Sequence, residues 1–267
     1  MKKVLITLFT TTMFLSACAQ ENNENSPPPN DTVTQPNQTV NQDQSIITKN
    51  DSSTSTEQGT QTKEVNGADI RTIEIGHHYI GNIFIKMEPN TDHITATLNN
   101  EELHEEVAPE LLLSTSEHTL IVDTRVPDGT AAKPSTVNGN LNKEPLTLSL
   151  IVPEKMYEQI SLITQSGNIT AEHMNTNTMV IKTDAGNLDM KQVNASKLNA
   201  ESGAGNIFFK TDTPDAFTII AGTGAGKLEL LGEVIEQTES SEPDLTIGTG
   251  AKEARFATGA GNVRVYE

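Results

Sequence analysis

The sequence of 267 residues contains one Cys, no Trp, three Tyr and seven Phe. A single Cys cannot form a disulfide within the chain, so the folded part depends on packing and hydrogen bonding. The sequence also has no set of Cys ligands for a structural zinc site. Enzymes that act on polysaccharides from a solenoid usually present aromatic platforms, and the scarcity of aromatic residues argues against that class.

Basic residues are few as well: 18 Lys and Arg stand against 36 Asp and Glu, which gives a formal net charge of −18. This balance repels nucleic acid and anionic lipid head groups over a Debye length. We therefore expect no nucleic-acid partner and no basic membrane-binding patch. An acidic surface favours solubility, and association of Ca²⁺ with it stays open as an alternative.

The chain also lacks a long apolar run. The apolar stretch from Val4 to Leu15 follows two lysines and is too short to span a bilayer as a mature helix. It predicts an export signal over residues 1–17. The sequence Leu-Ser-Ala-Cys ending at Cys18 resembles the bacterial lipobox, and this resemblance implies cleavage before Cys18 and attachment of a diacylglyceryl group to it. An ordinary signal peptide followed by a chance Cys is the alternative.

Residues 19–66 contain no aromatic residue and no Leu. Asn, Gln, Thr, Ser and acidic residues dominate the segment. It buries too little apolar area to offset the entropy lost on ordering. We expect residues 18–66 to be the lipidated Cys and a disordered polar linker, with a coil dimension of about 40 Å.

The sequence does contain one motif that is repeated five times. Each copy has alternating apolar residues, a turn of small residues that ends in Gly, then Asn or Lys, and then another apolar residue. The copies, beginning at residues 160, 179, 198, 219 and 254, are ISLITQSGNIT, MVIKTDAGNLD, LNAESGAGNIF, IIAGTGAGKLE and ARFATGAGNVR. Their turn residues are Gly167, Asn168, Gly186, Asn187, Gly205, Asn206, Gly226, Lys227, Gly261 and Asn262. A period near 20 residues predicts a stack of repeating units.

The alternation within each copy places several apolar columns on one strand face, for example Leu162, Ile181 and Ala200. One unit cannot bury such a face alone, so the units must stack. We predict an all-β fold, a single-stranded parallel β-solenoid (β-helix) over residues 67–267. Residues 67–152 would form irregular N-terminal coils or a capping sheet, and residues 153–267 would form the regular repeats.

The turn residues have structural roles in this interpretation. Gly supplies a positive φ at the corner. Asn repeated at the corner can form an amide ladder at about 4.8 Å per rung, which Lys227 would interrupt. Before the repeats, Asn99 to Leu113 has helical character and Pro127 to Glu144 is typical of a loop.

The apolar–x–apolar–x–Thr–x–Ala–Gly–Asn–apolar phrase and the lead-in LTLSLIVPEKMYEQISLITQSGNI over 146–169 resemble the bacterial putative-adhesin family of β-strand-repeat domains. That family is formally of unknown function and occurs in cell-envelope and membrane-linked proteins. The resemblance covers about 67–267 and implies a fold, a role in adhesion or envelope-stress signalling, and no catalytic residues. The insertion near Glu233 to Asp244 departs from the pattern.

Three patterns invite a chemical site, and each has a simpler structural interpretation. The first His residues to test for metal binding are His77, His78 and His93. No His pair has zincin spacing. The segment from Gly222 to Lys227 lacks the spacing and following helix of a phosphate loop. Asp184 and Glu201, the nearest carboxylates on neighbouring repeats, fall in different columns. We expect no catalytic residue, metal, cofactor or nucleotide.

The leading hypothesis is a non-enzymatic surface lipoprotein, anchored through Cys18 at the extracytoplasmic face of the cell membrane, with a Gram-positive surface favoured. Its partners would be the membrane, through the lipid, and an envelope or surface ligand of unknown identity. The alternative is a carbohydrate-binding or carbohydrate-active β-helix acting on cell-wall polysaccharide. A partner-sensing accessory protein for a membrane regulator is a third hypothesis.

Overall fold

The structure is a computed structural model, and it describes residues 54–57, 59–76, 81–99, 109–125, 146–237 and 245–267. Within these ranges the chain forms β-strands and one short 3-10 helix, Pro214–Ala216, but no α-helix. The strands lie in two sheets of 11 and 9 strands, which we name sheet A and sheet B. The all-β prediction is confirmed. No helix in this part of the chain is long and apolar enough to cross a membrane.

The two sheets are described by their strands in spatial order. Sheet A consists of β1 (Thr54–Glu57), β2 (Thr60–Asn66), β5 (His93–Asn99), β8 (Thr147–Pro153), β4 (Asn82–Glu88), β10 (Ile169–Glu172), β12 (Leu188–Lys191), β14 (Ile207–Lys210), β20 (Val263–Tyr266), β16 (Gly226–Leu230) and β17 (Glu233–Gln237). Sheet B consists of β18 (Leu245–Ile247), β15 (Phe217–Thr223), β19 (Lys252–Ala260), β13 (Asn194–Ala204), β11 (Asn175–Ala185), β9 (Tyr157–Ser166), β3 (Thr72–Ile75), β7 (Thr119–Arg125) and β6 (Glu110–Ser116).

Each repeat contributes one strand to sheet B, a glycine corner and one strand to sheet A. The first three repeats, β9–β10, β11–β12 and β13–β14, pair in parallel with equivalent residues opposite each other. The predicted inward column of Leu162, Ile181 and Ala200 belongs to the hydrophobic core, where all three are fully buried. Stacking therefore buries the apolar face that one repeat alone would leave in water. The alternation also predicts an inward column of small residues just before the corner, but that prediction is wrong, because the chain turns there and the column is half-buried or exposed: Ser166, Ala185, Ala204, Ala225 and Ala260.

The stacking order of the repeats differs from their order in the chain. The fifth repeat, β19–β20, lies between β13–β14 and the fourth repeat, β15–β16, in both sheets. A similar inversion precedes the regular repeats, where β3–β4 lies between β7–β8 and β9–β10. The sequence predicted a single-stranded parallel β-solenoid; the coils are stacked in parallel, but they do not follow one another in chain order as in a simple solenoid. The repeats present equivalent edges, so the connections between them decide which repeats become neighbours.

Antiparallel strands cover the ends of both sheets. At the C-terminal end, β17 pairs with β16 and β18 pairs with β15. At the other end, β1, β2 and β5 extend sheet A beyond β8, and β6 extends sheet B beyond β7. Residues 67–152 thus contain both predicted alternatives, irregular parallel coils and a cap. The insertion near Glu233 to Asp244, which departs from the repeat motif, contains β17. Residues 238–244 lie outside the described ranges.

Two segments differ from the expectations. Residues 54–66, assigned to the polar linker by composition, form β1 and β2, and Val65 is buried opposite Ile94. A sheet edge offers backbone hydrogen bonds, which lets a polar segment become a strand with few apolar contacts. Glu110–Ser116 is a strand at the end of the stretch predicted as helical, because Leu111 and Leu113 alternate toward the core. Residues 100–108 and the predicted loop lie outside the described ranges.

Three phenylalanine rings join the inserted fifth repeat to its neighbours. The ring of Phe209 lies 5.2 Å from that of Phe256 and 5.5 Å from that of Phe217, measured between centroids. All three rings are buried. They come from the third, fourth and fifth repeats, so this cluster links three coils whose stacking order differs from their order in the chain.

Candidate functional site

The predicted glycine corners lie in one column through the stack. Gly186 has a φ of 155°, and a Cβ at this position would lie 2.0 Å from the carbonyl oxygen of Gly167. No side chain fits at that distance, so only Gly allows the rungs to approach. Among the described residues, this column contains, in spatial order, Gly81, Gly167, Gly186, Gly205, Gly261 and Gly226.

The residues that follow these glycines form a hydrogen-bond ladder. The backbone N–H of Asn187 donates to Oδ1 of Asn168 at 2.8 Å, and that of Asn206 donates to Oδ1 of Asn187 at 2.9 Å. The side-chain amides also bond along the column, with Nδ2 of Asn187 at 3.3 Å from Oδ1 of Asn168. In the part of the chain that the structure describes, the ladder runs in spatial order through Asn82, Asn168, Asn187, Asn206, Asn262 and Lys227. Each asparagine thus satisfies a backbone donor of the next rung.

Lys227 ends this ladder and does not interrupt it. Its backbone N–H donates to Oδ1 of Asn262 at 2.9 Å. Among the described strands, β15–β16 is the outermost parallel repeat at this end, so no further parallel rung needs an acceptor from residue 227. The expected interruption rested on stacking in chain order.

A second ladder was not predicted from the sequence. The hydroxyl of Thr183 donates to the carbonyl oxygen of Gly167 at 3.1 Å, and that of Ser202 donates to Gly186 at 2.9 Å. The same bond is made by Thr164, Thr258 and Thr223. These hydroxyl residues are buried, so each bond compensates the desolvation of a carbonyl group at a corner. The signal in the sequence is an inward column in which every residue carries a hydroxyl.

The remaining candidate residues do not form a reactive centre in the described part of the chain. Cys18, His77 and His78 lie outside the described ranges, and His93 is exposed at the start of β5. Among the described residues, no three His, Cys, Asp or Glu side chains are grouped to hold a metal ion. The segment after Lys227 continues as strand β16, as a repeat corner requires.

Glu201, one of the two carboxylates considered for catalysis, is held by a lysine. Its Oε2 lies 2.8 Å from Nζ of Lys182 on the neighbouring rung, and Asn199 donates a second hydrogen bond to it. The bond to Lys182, reinforced by that from Asn199, lowers the pKa of Glu201. A carboxyl group that stays ionised is a poor proton donor. Asp184 is exposed at the neighbouring corner.

The outward side chains of sheet A form a second candidate surface. One row across the strands contains Ser149, Phe84, Thr170, Asp189, Phe208, Arg264 and Glu229. The adjacent row contains Ile151, Lys86, Glu172, Lys191, Lys210 and Tyr266. We call these two rows, with Glu88 at the end of β4, the outer face of sheet A. The asparagine ladder runs alongside the first row.

Most charges on this face are paired. Nζ of Lys191 lies 3.1 Å from Oε1 of Glu172 and 3.1 Å from Oδ2 of Asp189. Hydrogen bonds to Glu172 and then to Asp189 raise the pKa of Lys191. Nη2 of Arg264 lies 3.2 Å from Oε1 of Glu229, and its guanidinium carbon lies 5.1 Å from the centre of the Tyr266 ring. The pairing leaves a polar surface with a fixed pattern of charges.

A cavity of about 290 Å³ borders the outer face of sheet A. Its lining residues are Lys86, Met87, Glu88, Pro89, Glu154 and His173. Lys86 and Glu88 form an ion pair of 3.0 Å within it. The cavity extends the outer face of sheet A with a depression that has both apolar and charged lining residues.

Comparison with known proteins adds a family and a fold. A family model described as Toastrack DUF4097 matches residues 70–229. The crystal structure of a putative cell adhesion protein from Clostridium sporogenes has a TM-score of 0.57 and 16% identity, covering 78% of this chain and 98% of that chain. At this identity the likeness shows the fold alone. No curated protein matches this chain.

Two further crystal structures have lower scores. A putative adhesin from Bacteroides fragilis has a TM-score of 0.31 and 12% identity, covering 78% of this chain and 98% of that chain. A putative lipid binding protein from Parabacteroides distasonis has a TM-score of 0.21 and 13% identity, covering 78% of this chain and 97% of that chain. These scores are too low to support an inference.

Proposed function

Since this chain belongs to the Toastrack DUF4097 family, we propose that it is a non-enzymatic bacterial surface lipoprotein whose repeat domain mediates adhesion or interaction with the cell envelope. The observation that carries this proposal is the outer face of sheet A, where half-buried aromatic side chains stand among paired charges on a continuous sheet. Such mixed apolar and polar surfaces are typical of recognition interfaces. The name of the Clostridium protein makes adhesion the interaction that we favour.

The proposed anchor is a lipid on Cys18, which would place the domain at the extracytoplasmic face of the cell membrane. Residues 19–53 then separate the anchor from β1, the first strand of sheet A. The 11 strands of that sheet span roughly 48 Å at about 4.8 Å per spacing. A sheet of this length would offer an extended surface to envelope polymers or to another surface.

The anchor is tested by labelling cells with radioactive palmitate. We expect the wild-type chain to incorporate label and to sediment with membranes, because acyl chains supply the attachment. The Cys18→Ser chain should lose both properties, and Ser26→Ala in the linker should lose neither. Label that persists after Cys18→Ser would remove the lipoprotein part of the proposal.

The interaction role is tested with the full chain and purified cell-wall sacculi. We expect saturable binding without release of new reducing ends or peptides. Product release that depends on protein concentration would contradict a non-enzymatic role and favour a carbohydrate-active β-helix. Absence of binding to sacculi and to whole cells would contradict the interaction role itself.

A further inference from the structure

We propose that the outer face of sheet A binds an uncharged, hydroxyl-rich linear polysaccharide that lies along the stacking direction of the strands. This inference rests on the proposed envelope interaction and names its ligand class and its residues. The platforms would be the rings of Phe84 and Phe208, and the ring of Tyr266, over which Arg264 stacks, would lie beside them. The paired charged side chains around them would supply hydrogen bonds to hydroxyl groups.

The distribution of the aromatic side chains is the first argument. Seven aromatic residues lie in the described ranges, and four of them, Tyr157, Phe209, Phe217 and Phe256, are buried in the core. The other three, Phe84, Phe208 and Tyr266, all lie on the outer face of sheet A. The described strands of sheet B have no aromatic residue on their outer face. Among the described residues, the aromatic side chains outside the core are therefore concentrated on one surface.

The spacing of the strands is the second argument. Phe84 and Phe208 lie in the same row, separated by Thr170 and Asp189 on the two intervening strands. Three strand spacings of about 4.8 Å place them roughly 14 Å apart. One strand spacing is close to the advance of one sugar ring in an extended glycan. A glycan lying across the strands would therefore meet one strand per ring, with aromatic contacts at both ends of this interval.

The far end of the row offers a tighter arrangement. Phe208 lies opposite Arg264, and Lys210 lies opposite Tyr266 on the same two strands. Two rings and two cationic side chains thus alternate on β14 and β20. A pyranose ring has an apolar face that packs on an aromatic ring. The hydroxyl groups at its edge accept hydrogen bonds from cationic side chains such as those of Lys210 and Arg264.

The charge balance selects an uncharged ligand over an anionic one. The face carries four basic residues, Lys86, Lys191, Lys210 and Arg264, and four acidic residues, Glu88, Glu172, Asp189 and Glu229. These cancel, so the face has no excess positive charge with which to attract an anion. The chain as a whole has a formal charge of −18 and repels polyanions. The polar groups are therefore better suited to hydroxyl and amide groups.

The test measures binding of the full chain to chitohexaose and cellohexaose by titration calorimetry, with lipoteichoic acid as the anionic comparator. We expect saturable binding to at least one uncharged hexasaccharide. Phe84→Ala and Phe208→Ala should each weaken it by about tenfold, since each removes one ring contact. The matched control is Val180→Ala, an apolar truncation on the outer face of sheet B, which should leave the affinity within about twofold. Thermal unfolding of each variant establishes that it is folded.

Each other outcome overturns the inference. Binding to neither hexasaccharide, binding to lipoteichoic acid alone, or equal losses in Phe208→Ala and Val180→Ala would contradict it. Repeating the sacculus assay with the two Phe variants distinguishes failure of this inference from failure of the proposed function. Phe84→Ala and Phe208→Ala chains that still bind sacculi as the wild type does would leave the envelope role in place and remove only this face and ligand.

Discussion

The corner of each repeat combines three residues with separate tasks. Gly allows close approach of the rungs, as at Gly186, where any Cβ would overlap the backbone of Gly167. The following Asn satisfies a backbone N–H of the next rung, and the preceding Thr or Ser satisfies a carbonyl group. The glycines and asparagines were predictable as structural turn residues because they recur at the same positions of the repeated motif. Their hydrogen-bond partners lie on another rung, so these hydrogen bonds could be identified only from the stacked structure.

The asparagine ladder leads to a prediction for a single residue. Asn187→Ala removes the acceptor for the backbone N–H and the Nδ2 of Asn206. We expect the free energy of unfolding to fall by about 1 kcal/mol, a modest value because water can reach this exposed corner. Denaturant titration of the purified chain measures it.

The control for this prediction is Asn177→Ala. Asn177 is exposed on β11, in the same repeat, and its side chain makes no hydrogen bond with another described residue. We expect its replacement to change the unfolding free energy by less than about 0.5 kcal/mol. Equal effects of the two substitutions would show that the ladder adds no stability.

At the scale of the element, a repeat is stable only through its neighbours. A short strand such as β14 has two buried side chains, and Phe209 completes its packing with rings from two other repeats. The apolar columns in the middle of the strands, such as that of Leu162, Ile181 and Ala200, are buried as expected because the alternation within a strand is a local property. The aromatic contact between repeats was not predictable, since it depends on which strands become adjacent.

Phe256 provides the test at this scale. Phe256→Ala leaves a cavity beside Phe209 in the inserted fifth repeat, and we expect the unfolding free energy to fall by about 3–5 kcal/mol. Phe208→Ala, a truncation of the same residue type on the outer face of sheet A, should cost about 1 kcal/mol. Equilibrium denaturation compares the two variants. Similar losses would contradict the assignment of one ring to the core and the other to the surface.

At the scale of the whole molecule, the C-terminal residues form an internal layer. The fifth repeat lies between the third and the fourth in both sheets, so residues 252–266 pair with a repeat on each side. Antiparallel strands β17 and β18 cover the edges beyond the fourth repeat. A sequential solenoid would instead carry its last repeat at the exposed end.

Removal of residues 252–267 tests this topology. The fourth repeat, β15 and β16, pairs with β19 and β20 of the removed segment. We therefore expect residues Phe217–Leu230 to lose their protection from hydrogen exchange in the truncated chain. A control chain lacking only Glu267 should retain it. Protection of Phe217–Leu230 in the truncated chain would mean that the fourth repeat is held without the fifth.

The sequence by itself determined the all-β class, the inward columns and the glycine corners, because alternation and turn chemistry act between residues close in the chain. It also assigned residues 54–66 wrongly to the linker, since a polar strand is stabilised by the sheet edge that it joins. Only the tertiary structure decided the order of the coils, the terminal place of Lys227 and the collection of Phe84, Phe208 and Tyr266 on one face. Repeats with the same sequence motif offer the same hydrogen-bonding strand edges, so the local sequence does not determine which repeats pair. The connections between the repeats and the packing of the whole core determine it.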